Sequence, residues 1–455
     1  MSKVVEISPT TRHEGHSKLV LKVDENGIVE RGDWVSITPV RGVEKLAIGK
    51  TMEQVPKIAS RVCGICPVAH TLAGIEAMEA SIRCEIPENA HILRVILQCA
   101  NRLHSHALHN ILILPDLYLP GTDTKINPFS SQEPVRTVAK RIQRLRMIGQ
   151  TIAEVAGGEA VHPSNPRIGG MYTNVSRQAK YKMYDLAKEA IPLAMAQMEF
   201  MIALLRNYQK RDWVEVGGAK VPLPKNLGYH AQGYMATDPV YGTNCNAENP
   251  TWDPERFNEV RPWDWYMGEV KVDLSDPAYP VGGTSPVGTV ANPQMEACTG
   301  VPLYDGQPVE VGPRARMAIF KNFDEKGTVG QQVARQLEYM DDVYQMMNHI
   351  DMLDTEASVL ADEIPPGDGF TGWAVNEAPR GSDVHLARVK DSKVLWYSML
   401  VPTTWNFPVA SRALVGAPWQ LAEVVMRGYD PCVSCATHMI VVDDDHKVIA
   451  QKYIA

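Results

Sequence analysis

Cysteine is scarce in this chain, with eight in 455 residues, which sets aside a disulfide framework as the organising device. No run of basic residues interrupts a net charge of −8, so nucleic acid is a poor partner. No apolar stretch is long enough to span a bilayer; the most apolar helical one, residues 190–205, is broken by Gln197 and Glu199. The opening Met-Ser-Lys-Val-Val-Glu runs straight into a strand-like stretch without the features of an export signal, and the cytoplasm is the expected compartment. Repeats, low-complexity tracts and the glycine fingerprint of a flavin or dinucleotide site are all missing. The rest is ordinarily globular, 45% hydrophobic and 22% charged, with enough chain for one large core or two to three domains.

Half of the cysteines fall into two pairs. Cys63 and Cys66 sit in Arg61-Val-Cys-Gly-Ile-Cys-Pro-Val-Ala-His70, and Cys432 and Cys435 in Asp430-Pro-Cys-Val-Ser-Cys-Ala-Thr-His438. Thiolates in chelating pairs hold a soft or borderline transition metal such as nickel, iron, copper(I) or zinc. A structural zinc ribbon keeps its two pairs about 15–20 residues apart. Here most of the chain lies between them, so a shared metal would be buried where the two ends of a large domain meet. A chain this long does not need a metal to fold, which points to chemistry. Cys84, Cys99, Cys245 and Cys298 have no such partner and read as plain thiols.

Three short alternating stretches, Val4–Ser8, Lys18–Val23 and Ile28–Ile37, read as a small meander turning at Asp24-Glu-Asn-Gly. From Glu44 to Tyr208 the pattern is mostly helical. Val68, Leu72, Ile75, Met78 and Ile82 recur at helical steps after the first pair, and further helices are expected over Ala90–Ile113, Pro134–Val155 and Arg177–Tyr208. Gly157-Gly158 and His162-Pro163 separate the last two. Residues 210–330 read as a loop-rich insertion without long helices. Helix returns at Val333–Leu353, a hairpin at Leu386–Leu400 turns at Asp391-Ser-Lys, and a helix near Trp419–Arg427 delivers the second pair. The tail Met439–Ala455 reads as a last hairpin. The expected fold class is mainly α with small antiparallel β-sheets (α+β), one domain over residues 1–438 with its helical core at 44–208 and 333–438.

The two cysteine signatures together resemble those of the nickel–iron hydrogenase large subunit. Arg12-His-Glu-Gly-His16, Arg41-Gly-Val-Glu44, Glu377-Ala-Pro-Arg-Gly381 and Pro402-Thr-Thr-Trp-Asn406 follow in that family's order. Stretches such as Glu6-Ile-Ser-Pro-Thr-Thr-Arg12, Gly158-Glu-Ala-Val-His-Pro-Ser-Asn-Pro-Arg-Ile-Gly-Gly-Met171 and Asn292-Pro-Gln-Met-Glu-Ala-Cys-Thr-Gly300 are similar to the branch that reduces coenzyme F420 in methanogenic archaea.

The resemblance implies a fold with a long central helix bundle and reversible cleavage of dihydrogen at a nickel–iron centre whose iron carries carbon monoxide and cyanide. Cys66 and Cys435 would bridge the metals, with Cys63 and Cys432 terminal on nickel. It further implies Arg380, beside Pro379, over the open face, with Asp116 and Asp430 holding its guanidinium, and Glu14 carrying protons away from Cys432. His70 would hydrogen-bond a bridging sulfur, and Glu44 with His438 would bind Mg²⁺ near the C-terminus. Electrons would leave through an iron–sulfur small (gamma) subunit to an FAD-bearing beta subunit that binds coenzyme F420, with any membrane contact made through partners. A maturation endopeptidase would cut after His438 and remove Met439–Ala455 as a propeptide.

Taken singly these residues carry blander readings. A glutamate near an N-terminus is ordinarily a solvated surface group, and its place inside Arg12-His-Glu-Gly-His16 is what reverses this for Glu14. Asp116, after a proline at a helix end, also suits a plain turn. His104, His106 and His109 cannot share one helix face and read as packing or a subunit contact; His162 reads as structural and Met195–Met201 as core packing. Three alternatives stand beside the leading one: a hydrogenase feeding a heterodisulfide reductase or viologen, a hydrogen sensor that does not turn over, and a metal-free respiratory relative. The cleavable tail argues against the sensor, and four intact cysteines argue against the metal-free relative.

Overall fold

The computed structural model describes residues 3–36, 43–238, 301–304 and 307–436, and as backbone alone the strands 257–260, 441–442 and 448–450. Among them are five long helices: α1 (Pro67–Ile82), α2 (Glu88–Ile113), α3 (Val135–Gly157), α4 (Arg177–Gln209) and α5 (Gly327–Met352). Their starts follow local chemistry. Pro67 opens α1 where its missing N–H costs nothing, and the Ser176 hydroxyl caps α4 by accepting from the Ala179 amide at 3.2 Å.

Helices α2, α3, α4 and α5 pack in a ring, each against the next and α5 back against α2. Ile96, Ala100, Ile142, Ile148, Ala187, Leu204, Val343 and Ile350 fill its interior. Charges are buried there too, always paired. Arg102 donates to Asp342 at 2.6 Å, His106 meets Glu338 at 2.9 Å, and Arg316 reaches Glu338 and Glu377. Removing one partner of such a pair costs about 3–5 kcal/mol, because it strands a buried charge. The polar interior therefore fixes how the helices register.

Helix α1 is buried on nearly every side, since it lies against a three-stranded antiparallel sheet of β4 (Asp368–Ala378), β5 (Gly381–Lys390) and β6 (Lys393–Leu400), in that order. A second meander, β1 (Lys3–Ile7), β2 (Ser17–Val23) and β3 (Val29–Ser36), pairs in sequence order near the N-terminus. The fold is thus mainly α with small antiparallel sheets, as expected. No helix among the described residues is long and apolar enough to cross a membrane.

Three expectations need amendment. Strand β4 was not anticipated; its glycines suggest a loop, yet a Cβ on Gly372 would lie 2.1 Å from the Ser81 amide nitrogen, so the strand needs glycine to let α1 approach. Helix α5 begins at Gly327, earlier than the Val333 expected from the apolar period, because its first turns bury the polar residues Thr328, Gln331 and Gln332, the last bonded to His109 and the Arg427 carbonyl. The described part of residues 210–330 includes the short helix Pro313–Lys321, whose Arg314 and Arg316 are buried among ion pairs. Only one face of the Met195–Met201 stretch is packed, with Met201 buried and Met195 41% exposed. Cys245, Cys298, Arg41, Ile37, residues 292–300 and His438 lie outside the described residues. So does most of the tail, of which the backbone strands Val441–Val442 and Val448–Ala450 pair antiparallel.

Candidate metal centre

The two ends of the chain meet. Glu14 and Cys432 form a parallel bridge, with the Val433 amide donating to the Glu14 carbonyl at 2.9 Å and the Glu14 amide to the Pro431 carbonyl at 3.3 Å. This brings the second cysteine pair to the N-terminus of α1, where Cys66 is the residue before Pro67. The four sulfurs lie within 4.8 Å of one another and all are buried. Cys63 Sγ is 3.1 Å from Cys432 Sγ, Cys432 is 2.8 Å from Cys435, and Cys66 is 3.6 Å from Cys435, with no disulfide among them.

Hydrogen bonds from the Cys432 and Cys435 thiols pull Cys63 and Cys66 below the ordinary thiol range, while burial pushes Cys432 and Cys435 up. Four crowded sulfurs in a dry site suit soft or borderline transition-metal cations. The donor set therefore fits a nickel–iron pair.

Charged groups ring the sulfurs. Glu14 Oε2 accepts from Cys432 Sγ and from the Ser434 amide, both at 3.0 Å, and its side chain is half-buried. His70, one turn into α1, places Nε2 3.6 Å from Cys66 Sγ and 3.3 Å from Cys435 Sγ. Burial alone would depress its imidazole, but the charges of Asp383 and Cys66 raise it well above the usual histidine range. Arg380 lies in the tight β4–β5 turn and donates to the Asp430 carbonyl at 2.5 Å, the Asp430 carboxylate at 3.0 Å and the Ser105 hydroxyl at 3.2 Å. Burial opposes its charge, yet Asp430 and the cysteine sulfurs raise it well above the usual arginine range. Pro379 beside it is buried.

Asp430 is itself held by three cations or donors: Arg380, Arg335 at 3.3 Å and His109 Nδ1 at 3.0 Å. Against the pull of burial they keep its carboxyl well below the usual range. Asp116 is elsewhere. It pairs with Arg12 at 2.6 Å and with Arg427 at 2.9 Å, bracing the Glu14 loop against the helix that precedes the second cysteine pair, and it does not touch Arg380. Glu44 accepts from the Met399 amide at 2.8 Å and the Ser398 hydroxyl at 3.3 Å, which ties its short helix, Val43–Ala47, to β6.

Sequence reasoning missed several residues that build this centre. Thr403 accepts from the Cys432 amide at 3.0 Å, and Asn406 clamps the Arg380 carbonyl at 3.5 Å and the Val311 carbonyl at 3.1 Å. Both belong to Pro402-Thr-Thr-Trp-Asn406, so the motif itself was the available signal. Glu377 anchors the Arg380 turn through Thr237, Ser382 and Arg316. His109 and His106, expected as packing or a subunit contact, pack inside the bundle, His109 against Asp430 and Gln332 and His106 against Glu338. His162 sits on the loop beside Arg61 and Cys63, whose charges act on it.

Fold and site together define a large subunit of the nickel-dependent hydrogenase family, and the chain belongs to it: the family's sequence model matches residues 41–112 and 321–438. The chain is 70% identical over 452 residues to the coenzyme F420 hydrogenase subunit alpha of Methanosarcina barkeri, covering 99% of both chains. It is 39% identical over 449 residues to the subunit of the same name from Methanothermobacter thermautotrophicus, covering 99% of this chain and 98% of that one. Its fold matches a reduced, active form of the nickel–iron–selenium hydrogenase of Desulfomicrobium baculatum with a TM-score of 0.76, over 96% of this chain and 100% of that one, at 22% identity.

Proposed function

We propose that this chain is the hydrogen-splitting subunit of a coenzyme F420-reducing hydrogenase. The observation that carries the reading is the convergence of four buried cysteine sulfurs from opposite ends of the chain within 4.8 Å, with the Glu14 carboxylate 3.0 Å from Cys432. Cys63, Cys66, Cys432 and Cys435 would hold nickel and iron; His70 touches the sulfurs of Cys66 and Cys435, which suits those two as the bridging pair. When bound, the metal pair supplies a two-electron acceptor for dihydrogen, with carbon monoxide and cyanide as the expected iron ligands.

The chain's own residues then handle charge and protons. A proton is taken at Cys432 Sγ and handed to Glu14 Oε2, whose side chain is exposed enough to pass it to water. Arg380 supplies a fixed positive charge above the sulfurs; Asp430 and Ser105 keep its fork in one orientation, and Asn406 holds its backbone carbonyl. Asp116 acts at one remove, by locking Arg12 to Arg427. Pro379 shapes the turn that carries Arg380. Glu44 remains the candidate Mg²⁺ ligand, with His438 as its expected companion. Electrons leave to an iron–sulfur gamma subunit and an FAD-bearing beta subunit, since the remaining cysteines, Cys84, Cys99, Cys245 and Cys298, form no further Cys-x-x-Cys pair in the sequence; the names of its relatives favour coenzyme F420 as the final acceptor.

Purified complex should contain nickel and reduce coenzyme F420 under hydrogen. A chain of the mass that ends at His438 would accord with removal of Met439–Ala455 by the endopeptidase. Absence of nickel despite intact cysteines would sink the whole assignment. Hydrogen-driven reduction of viologen but never of coenzyme F420 would instead move the acceptor.

Arg380→Lys is expected to keep the nickel content while turnover falls about 10²-fold, because lysine retains the charge but loses the planar fork that spans Asp430 and Ser105. Full turnover in that variant would make Arg380 a bystander.

A further inference from the structure

Arg335 projects from α5 into the polar interior, 1% exposed, and spends two of its nitrogens on the segment that leads into the second cysteine pair. Nη2 donates to the Gly428 carbonyl at 3.1 Å, and Nη1 donates to Asp430 Oδ2 at 3.3 Å. Asp430 gives its other carboxylate oxygen and its carbonyl to Arg380. One aspartate is thus shared between two buried guanidinium groups, one from the bundle and one from the turn over the sulfurs.

The backbone there is not relaxed. Asp430 has φ 50°, in the left-handed region that a residue with a Cβ enters at a cost. Gly428 is pressed against α5, where a Cβ would lie 2.2 Å from Gln331 Oε1. Strain of this kind persists only where the surroundings over-determine it. Arg335 supplies two of the bonds that do so, one on each side of Tyr429.

Arg335 is held in turn. Its Nη1 also donates to His106 Nδ1 at 3.4 Å, and His106 Nε2 lies 2.9 Å from Glu338 Oε2. Glu338 accepts from Arg316 at 2.6 Å as an ionised carboxylate, so the ring proton sits on Nε2 and Nδ1 is left to accept. Burial pulls the His106 imidazole down to about 4, which keeps the ring neutral. The same burial brings Arg335 down only to about 10, so it remains a cation at neutral pH.

We propose that Arg335 is a positioning residue for the hydrogen-splitting centre: by holding Gly428 and Asp430 it fixes the Asp430 carboxylate and carbonyl against Arg380, with His106 aiming its guanidinium. This rests on the nickel–iron reading of the four cysteines. Without Arg335 the carboxylate keeps a bond on one side only and the strained backbone can relax, so Arg380 loses its fixed place. A displacement of about 1 Å at a group beside the reacting atoms costs up to about 10²-fold in rate.

In the holo complex, Arg335→Met should retain nickel while hydrogen-dependent turnover falls about 10–10²-fold, with the KM for hydrogen unchanged because Arg335 acts through Asp430. Arg335→Lys keeps the charge but has a single head that cannot span Gly428 and Asp430, and should recover only part of the rate. The critical comparison is with Arg380→Lys. Where the Arg380 fork is already gone, adding Arg335→Met should lower turnover by no more than about threefold. Losses that multiply in full in the double variant overturn the proposal, as does wild-type turnover in a nickel-loaded Arg335→Met complex. Should Arg335→Met fail to take up nickel, Arg335→Lys carries the same comparison. Loss of nickel from both would make Arg335 a structural group alone and overturn the proposal too. A wild-type complex without nickel would instead fault the metal reading beneath it.

Discussion

Cys432→Ser is expected to leave a folded chain that takes up no nickel and does not turn over. Serine keeps the size of cysteine, so the surrounding contacts, including the Cys432 amide on Thr403, can persist. Its hydroxyl is far harder to ionise than a thiol and is a poor ligand for a soft or borderline metal. At the centre of the cluster, 2.8 Å from Cys435 and 3.1 Å from Cys63, the lost thiolate cannot be replaced by a neighbour. The bundle of α2–α5 is filled by apolar side chains and ion pairs remote from the sulfurs, so circular dichroism should stay near wild type while elemental analysis shows the metal gone. Nickel retained at the wild-type level, with turnover, would mean that Cys432 is no ligand.

Glu14→Gln should act on the opposite half of the chemistry. The amide oxygen can still accept from the Ser434 amide, and the backbone bridge to Cys432 does not involve the side chain, so metal content should be unaffected. Glutamine cannot take a proton from Cys432 and release it to water. Exchange of hydrogen gas with solvent deuterium is therefore expected to drop about 10²–10⁴-fold, the range that a positioned acid–base group contributes. Exchange at the wild-type rate would remove Glu14 from the proton route. Together the two variants separate holding the metals from moving the proton.

The elements with a clean apolar period were legible in advance: α1 to α4 lie where Val68 to Ile82 and the later repeats put them. The convergence of the cysteines was legible as well, because widely separated thiol pairs leave a shared metal as their common explanation. What sequence alone could not supply was the partner of each charge. Nothing in the spacing of Asp116 distinguishes Arg380 from Arg12 and Arg427, since all are distant along the chain and the choice is made by how α2 enters the site. Asp383 precedes the hairpin expected at Leu386–Leu400 and gives no sign of facing His70 until α1 is laid against it. Strand β4 was obscured for a related reason: its glycines serve a helix packed on top of it, a tertiary demand that local propensity does not register.

The bridge between Glu14 and Cys432 also orders events in time. As the polypeptide leaves the ribosome, the whole bundle emerges before Cys432 and Cys435 do, so half of the sulfur ligands arrive last. A chain stalled or truncated short of them presents only Cys63 and Cys66, an open half-cradle. The four-sulfur cluster is thereby complete only once the Cys432–Cys435 segment has been made, after the scaffold that encloses it.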